Sequence, residues 1–201
     1  MLLTEMTSLL ELGFEVTEAW EETQLIKTID ELGELGIRLA TQFSEETLHR
    51  AISCLKSLGL EAADRNLTEG VLSSAVSLGL IGQEMARNNG NETVLEIALA
   101  LKAFGIRLAS IDKLIPLLLV AISLKEVGKE AARNGMEKEV ILSQVFLKEI
   151  YTFSISSKKD LRILNQEFAF LVRDIGKCSK EAGLGEAVIS ARQLFENFPL
   201  F

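Results

Sequence analysis

A chain of 201 residues, 48% hydrophobic and 25% charged, carries enough apolar matter for a folded core and too much for a disordered segment. Only two prolines, one tyrosine and one tryptophan accompany abundant leucine, alanine, glutamate and lysine, which argues against a strand-rich or collagen-like chain. A net charge of −8 weighs against electrostatic nucleic-acid binding, and two distant cysteines, Cys54 and Cys178, against a disulfide framework or a CxxC metal knuckle.

The chain starts "MLLTEMTSLLELG", with acids where a signal peptide carries early basic residues, so a cytoplasmic protein is expected. The longest apolar run, Leu114 to Leu124, falls short of the roughly 20 residues a membrane span needs. Residues 1–34 hold nine acids and one base, while the rest of the chain is balanced. That acidic segment reads as a solvated terminal helix pair.

Gly13, Gly36, Gly59, Gly82, Gly105 and Gly128 recur every 23 residues, and the next step lands on Tyr151. Four residues before each comes leucine, from Leu9 to Leu147, and one before comes Leu12, Leu35, Leu58, Ile81, Phe104, Val127 or Ile150. A fixed period of this kind marks a repeat architecture. Counting from the glycine as zero, apolar residues stand at −11, −7, −4, −1 and +3, a helical spacing. Further apolar residues at −10 and −6 widen the stripe, so many helices are expected to be buried on two sides.

Each unit is therefore expected to be a helix of about 18 residues followed by a short turn, with antiparallel neighbours. The turns fall in "DRNLTEG", "RNNGNET", "ASIDKLIP" and "RNGMEKE". Thr68 and Asn91 read as N-caps, Pro116 as a first-turn residue, and Gly90 and Gly135 as C-terminal caps. The glycines act as packing devices that let a neighbouring helix come close. At position −3, Lys56, Lys102 and Lys148 alternate with Gly33 and Gly79, and Lys125 breaks the alternation. This gives a 46-residue hairpin unit and two non-equivalent rows of helices.

The register slips by two residues after Tyr151, in "YTFSISSKKDLRI", and resumes at Val172, Ile175 and Gly176. "EAGLGEA" makes a further turn before a short last helix. The expected fold is all-α: a right-handed α–α superhelix of about nine antiparallel helices. It forms a single domain over 1–201, regular to 150 and irregular over the capping units 151–201.

A two-row helical array with a 46-residue hairpin period resembles the HEAT/armadillo class of α-solenoids. The stretches "GKEAARNGMEKE" and "GLEAADRNLTEG" are similar to degenerate repeats of uncharacterised prokaryotic, especially archaeal, proteins. The chain lacks the internal proline and the Asp/Arg ladder of HEAT repeats. The resemblance implies a binding or scaffolding surface.

No catalytic constellation accompanies the repeat. The one histidine, His49, stands at position −10 and reads as a partly buried structural residue, and Cys54 does not share its face. Glu126 and Glu130, like Glu18 and Glu22, lie four apart without a histidine, and read as solvated charges rather than a di-iron site. "GLGEA" lacks the strand and the third glycine of a dinucleotide loop. Lys158, Lys159 and Arg162 form the one basic cluster.

The expected function is a non-enzymatic protein-interaction or scaffold module, needing no metal or cofactor. Its partner is another protein or itself, and its candidate surface is Lys56, Lys102, Lys148, Tyr151 and Phe153. Two alternatives remain: self-assembly, with the "NFPLF" tail as a latch or a folded-back cap, and a small-ligand pocket around Tyr151, Phe153 and the loop from Ser154 to Asp160.

Overall fold

The computed structural model describes residues 22–42, 45–155, 161–196 and 198. These hold eight helices: α1 Glu22–Gln42, α2 Glu45–Asp64, α3 Thr68–Arg87, α4 Asn91–Ser110, α5 Leu114–Arg133, α6 Glu137–Ile155, α7 Leu161–Glu181 and α8 Gly185–Glu196. No strand occurs among the described residues. The ninth expected helix, around Gly13, lies outside them, as do Lys158, Lys159 and most of the "NFPLF" tail.

Each helix packs on the next and on the next but one. The odd helices α1, α3, α5 and α7 thus form one row and the even helices α2, α4, α6 and α8 the other. The core runs as a seam between the rows. In α1 to α5 the residues at −11, −7, −4, −1 and +3 are all buried; in α4 they are Val94, Ala98, Leu101, Phe104 and Leu108.

The glycines do what their spacing predicts, and the structure names the neighbour. The glycine of one helix lies beneath residue −1 of the next helix in its own row. A Cβ on Gly82 would lie 2.8 Å from Val127, and one on Gly105 would lie 2.6 Å from Ile150. Gly36 faces Ile81 and Gly59 faces Phe104 in the same way. Gly33 and Gly79, at −3, admit Ser77 and Ser123 of the following odd helix.

The turns share one geometry. Helices α2 to α5 and α7 end five residues past the glycine, and residue +7 takes a left-handed conformation: Asn66, Asn89, Asp112, Gly135 and Gly183, with φ from 57° to 76°. The amide at +8 donates to the carbonyl at +3, as from Gly90 to Met85 and from Met136 to Ala131, and the amide at +7 donates to +4. This is a Schellman cap. It corrects three expectations. Asn89, not Gly90, is the left-handed residue, because the two-bond cap places that conformation at +7. Thr68 and Asn91 are first helical residues. The N-caps are Leu67 and Gly90, the last residues of the preceding turns, whose side chains have no acceptor for a cap hydrogen bond.

A fourth correction concerns the widened stripe. Position −10 is half-buried, while at −6 Val76, Ile122 and Phe170 are 52%, 40% and 46% exposed. Between its inter-row face and its same-row face a helix has no third neighbour, so this side of the stripe points outward.

Candidate interaction surfaces

The lysine row belongs to α2, α4 and α6. Lys56 is exposed on α2. Lys102 pairs with Glu149 on α6 and lies 4.8 Å over the Phe146 ring. Lys148 lies over the rings of Tyr151 and Phe198, at 4.7 and 4.2 Å, and burial lowers its pKa from the ordinary lysine value. Two of the three ammonium groups are therefore engaged within the array.

Tyr151 is buried to 1% and Phe153 is 54% exposed. The tyrosine hydroxyl donates to Asn165 Oδ1 of α7, and its ring meets Phe168 and Phe198 at centroid distances of 5.8 and 4.8 Å. Burial raises its pKa. Tyr151 thus fills the space beside α8, which has only 12 residues and passes α6 over a shorter length. Its ring faces the core and not solvent. Phe198, at 2% exposure, folds back onto that ring, so this residue of the tail acts as a cap. Serine 154 is buried at the start of the expected loop, and residues 156–160 lie outside the described set.

Polar side chains tie helices of the same row together. Glu130 is buried at 7%, accepting from Arg87 Nε of α3 at 3.2 Å and from Arg133 Nη1 at 2.8 Å. The expectation of a solvated charge fails here, because packing of α3 against α5 encloses the carboxylate and two guanidiniums offset its desolvation. Both arginines have raised pKa values, led by their hydrogen bonds to Glu84 for Arg87 and to Glu130 for Arg133. Between α5 and α7, Lys129 lies 3.1 Å and Lys125 3.7 Å from Asp174, with Glu126 beside both lysines. Burial alone would raise the Asp174 pKa, but the hydrogen bond and charge of Lys129, with Lys125, bring it below the ordinary value.

In the even row Arg107 pairs with Asp64 at 2.5 Å, and His49 Nδ1 lies 2.5 Å from Glu96 Oε2. His49 is half-buried, as expected of a structural histidine. Burial pushes the Cys54 thiol up to about 11, which leaves it protonated and unreactive at neutral pH. Among the described residues, no three His, Cys, Asp or Glu side chains gather as a metal site, and no helix is long and apolar enough to cross a membrane.

The surface that sequence reasoning missed is the outer face of the odd row. Ten large apolar side chains are exposed among the described residues, and seven belong to this row. They are Val76 and Leu80 on α3, Ile115, Leu119 and Ile122 on α5, and Ile163 and Phe170 on α7. The even row contributes Leu99, Phe153 and Ile189. The signal was present in the repeat: core positions stay apolar in every unit, whereas −6 reads Asp30, Ser53, Val76, Leu99, Ile122, Val145. A position that changes character from unit to unit is not held by the core.

No family model matches the chain, and no curated protein matches it in sequence. Among solved structures it is similar to the DHF46 filament chain, with TM-score 0.68 and 17% identity over 87% of this chain and 95% of that one. It is also similar to the DHF91 filament chain, with TM-score 0.67 and 16% identity over 87% of this chain and 97% of that one. At such identities the likeness is one of fold: an all-helical, repeat-like arrangement. It does not extend to the HEAT or armadillo class by name.

Proposed function

We propose that this chain is a non-enzymatic structural protein that associates with further copies of itself through the outer face of its odd row. The observation that carries this reading is the concentration of exposed apolar side chains across α3, α5 and α7. Exposed patches of several hundred square ångströms mark interaction sites. A helix of 20 residues is about 30 Å long and packed helices lie about 10 Å apart, so three of them present about 600 Å². That approaches the roughly 800 Å² per partner of a stable complex.

A second copy is the favoured occupant on grounds of charge. The charges at the centre of the face, Glu126 and Asp174, are paired with Lys125 and Lys129 within the array, so the face meets its own image without net repulsion. Its α1 edge carries the exposed acids Asp30 and Glu34, and its α7 edge carries the exposed bases Arg173 and Lys177. A two-fold axis between α3 and α5 sets each acidic edge against the partner's basic edge. The two similar chains are both named as filaments, which agrees with self-association.

The test is sedimentation velocity over a concentration series. The native chain should sediment as an oligomer, and Val76→Glu with Ile122→Glu should yield a folded monomer. A native chain that stays monomeric, or a variant that assembles as before, would remove this reading. The lysine row as a contact for a different protein has less support, since Lys102 and Lys148 have partners inside the array.

A further inference from the structure

The repeat rule that covers each glycine fails once among the described residues. Gly36, Gly59, Gly82, Gly105 and Gly128 each lie under residue −1 of the next helix in the row. Among the described residues, Gly176 of α7 meets Ala191 Cβ of α8, at 2.7 Å, and no side chain from a following row member. At that place a groove of about 220 Å³ opens between α7 and α8. Gly176, Val188, Ala191 and Phe195 form its apolar floor. Arg173, Lys177, Lys180 and Arg192 form its rim, and no carboxylate among the described residues lines it. Arg173 is stacked 5.4 Å from the Phe170 ring, which presents its guanidinium at the edge of the groove.

We infer that this groove is a head-to-tail socket for residues 1–21 of a second copy of the chain. The inference rests on the self-association reading and adds a second, separate contact to it. Residues 1–21 contain five carboxylates, Glu5, Glu11, Glu15, Glu18 and Glu21, and no basic side chain, so they complement the four cations of the rim. Their apolar residues also follow the repeat: Leu2, Met6, Leu9, Leu12 and Val16 occupy −11, −7, −4, −1 and +3 around Gly13. Counting along the array, the unit that follows α8 is the one whose residue −1 belongs over Gly176. In a second copy that residue is Leu12. A contact of this kind joins different surfaces of two copies, so it propagates into an open chain rather than closing on a dimer.

The test is a titration of a fluorescein-labelled peptide of residues 1–21 with the full-length chain, read by anisotropy. Saturable binding that weakens with added salt is expected. Lys180→Glu with Arg192→Glu should weaken it at least tenfold, and a peptide carrying Glu11→Lys and Glu15→Lys should regain affinity for that variant. A peptide with Leu12→Asp should bind at least tenfold less to the unaltered chain, an arm that does not depend on a variant folding. Absence of saturable binding, equal affinity for the groove variant, or equal binding of a scrambled peptide would overturn the inference. The outer face is untouched in these variants, so failure here leaves the Val76 and Ile122 experiment to decide the broader reading.

Discussion

Tyr151 stands where seven other units, that of Gly176 included, carry glycine, and it shows how one residue can depart from a repeat without breaking it. In the regular units the site must be empty, because residue −1 of the following helix lies over it. At Tyr151 the following row member is the short α8, and a large ring occupies the room instead, packed by Phe168 and Phe198. Tyr151→Gly, which restores the repeat, should therefore be among the most damaging substitutions. Loss of a buried aromatic costs about 3–5 kcal/mol, and glycine in a helix adds about 1 kcal/mol. Tyr151→Phe keeps the ring and removes only the hydroxyl bond to Asn165, for about 1 kcal/mol. Urea unfolding of both variants checks this, and a neutral Tyr151→Gly would show that the ring does not support the array.

At the scale of the helix, the same glycines set the distance between row neighbours. Gly105→Ala gains about 1 kcal/mol in helix propensity but drives a methyl to 2.6 Å from Ile150 Cδ1. Ile150 is fully buried and has nowhere to move, so overpacking of about 1–3 kcal/mol wins and the variant is less stable. In an Ile150→Ala background the obstructing atoms are gone, and Gly105→Ala should become neutral or stabilising. A double-mutant cycle by chemical denaturation measures the coupling, and additive effects would mean that the two residues do not meet.

Helix spacing, helix length and the buried stripe were legible in the sequence, because a residue that must touch the core in every unit repeats in every unit. From Leu25 to Ala131 every residue at −11, −7, −4, −1 and +3 is buried. Two things were not legible. The left-handed residue at +7 is Asn66, Asn89, Asp112, Gly135 or Gly183, and three residue types that tolerate one backbone conformation leave no single-letter signature. The outward face at −6 was hidden for a different reason. An apolar residue beside the core stripe has the same helical period whether it faces a neighbour or water, so Val76 and Ile122 read as a second buried side. Glu130 was misread similarly, since its enclosure depends on Arg87, 43 residues away.

Among the described helices, contacts reach only the next helix and the next but one, so stability is a sum of local terms and a perturbation stays near its source. The Asp174 cluster offers a way to see this. Burial opposes the carboxylate charge, but the Lys129 hydrogen bond with the charges of Lys129 and Lys125 outweighs it, so its folded pKa lies below the unfolded value. A depressed carboxylate stabilises the fold fully above its unfolded pKa of about 4 and loses that contribution as pH falls through the folded value. Asp174→Asn should therefore be less stable than the native chain by about 1 kcal/mol at pH 7, the upper end for a partly exposed pair, and the gap should close below pH 4. Hydrogen exchange at neutral pH should show the loss in α7 and in α5, α6 and α8, which pack against it, with α1 and α2 protected as before. Uniform loss of protection would mean that the rows unfold as one cooperative unit. A pH-independent gap would instead mean that Asp174 acts through its shape and not its charge.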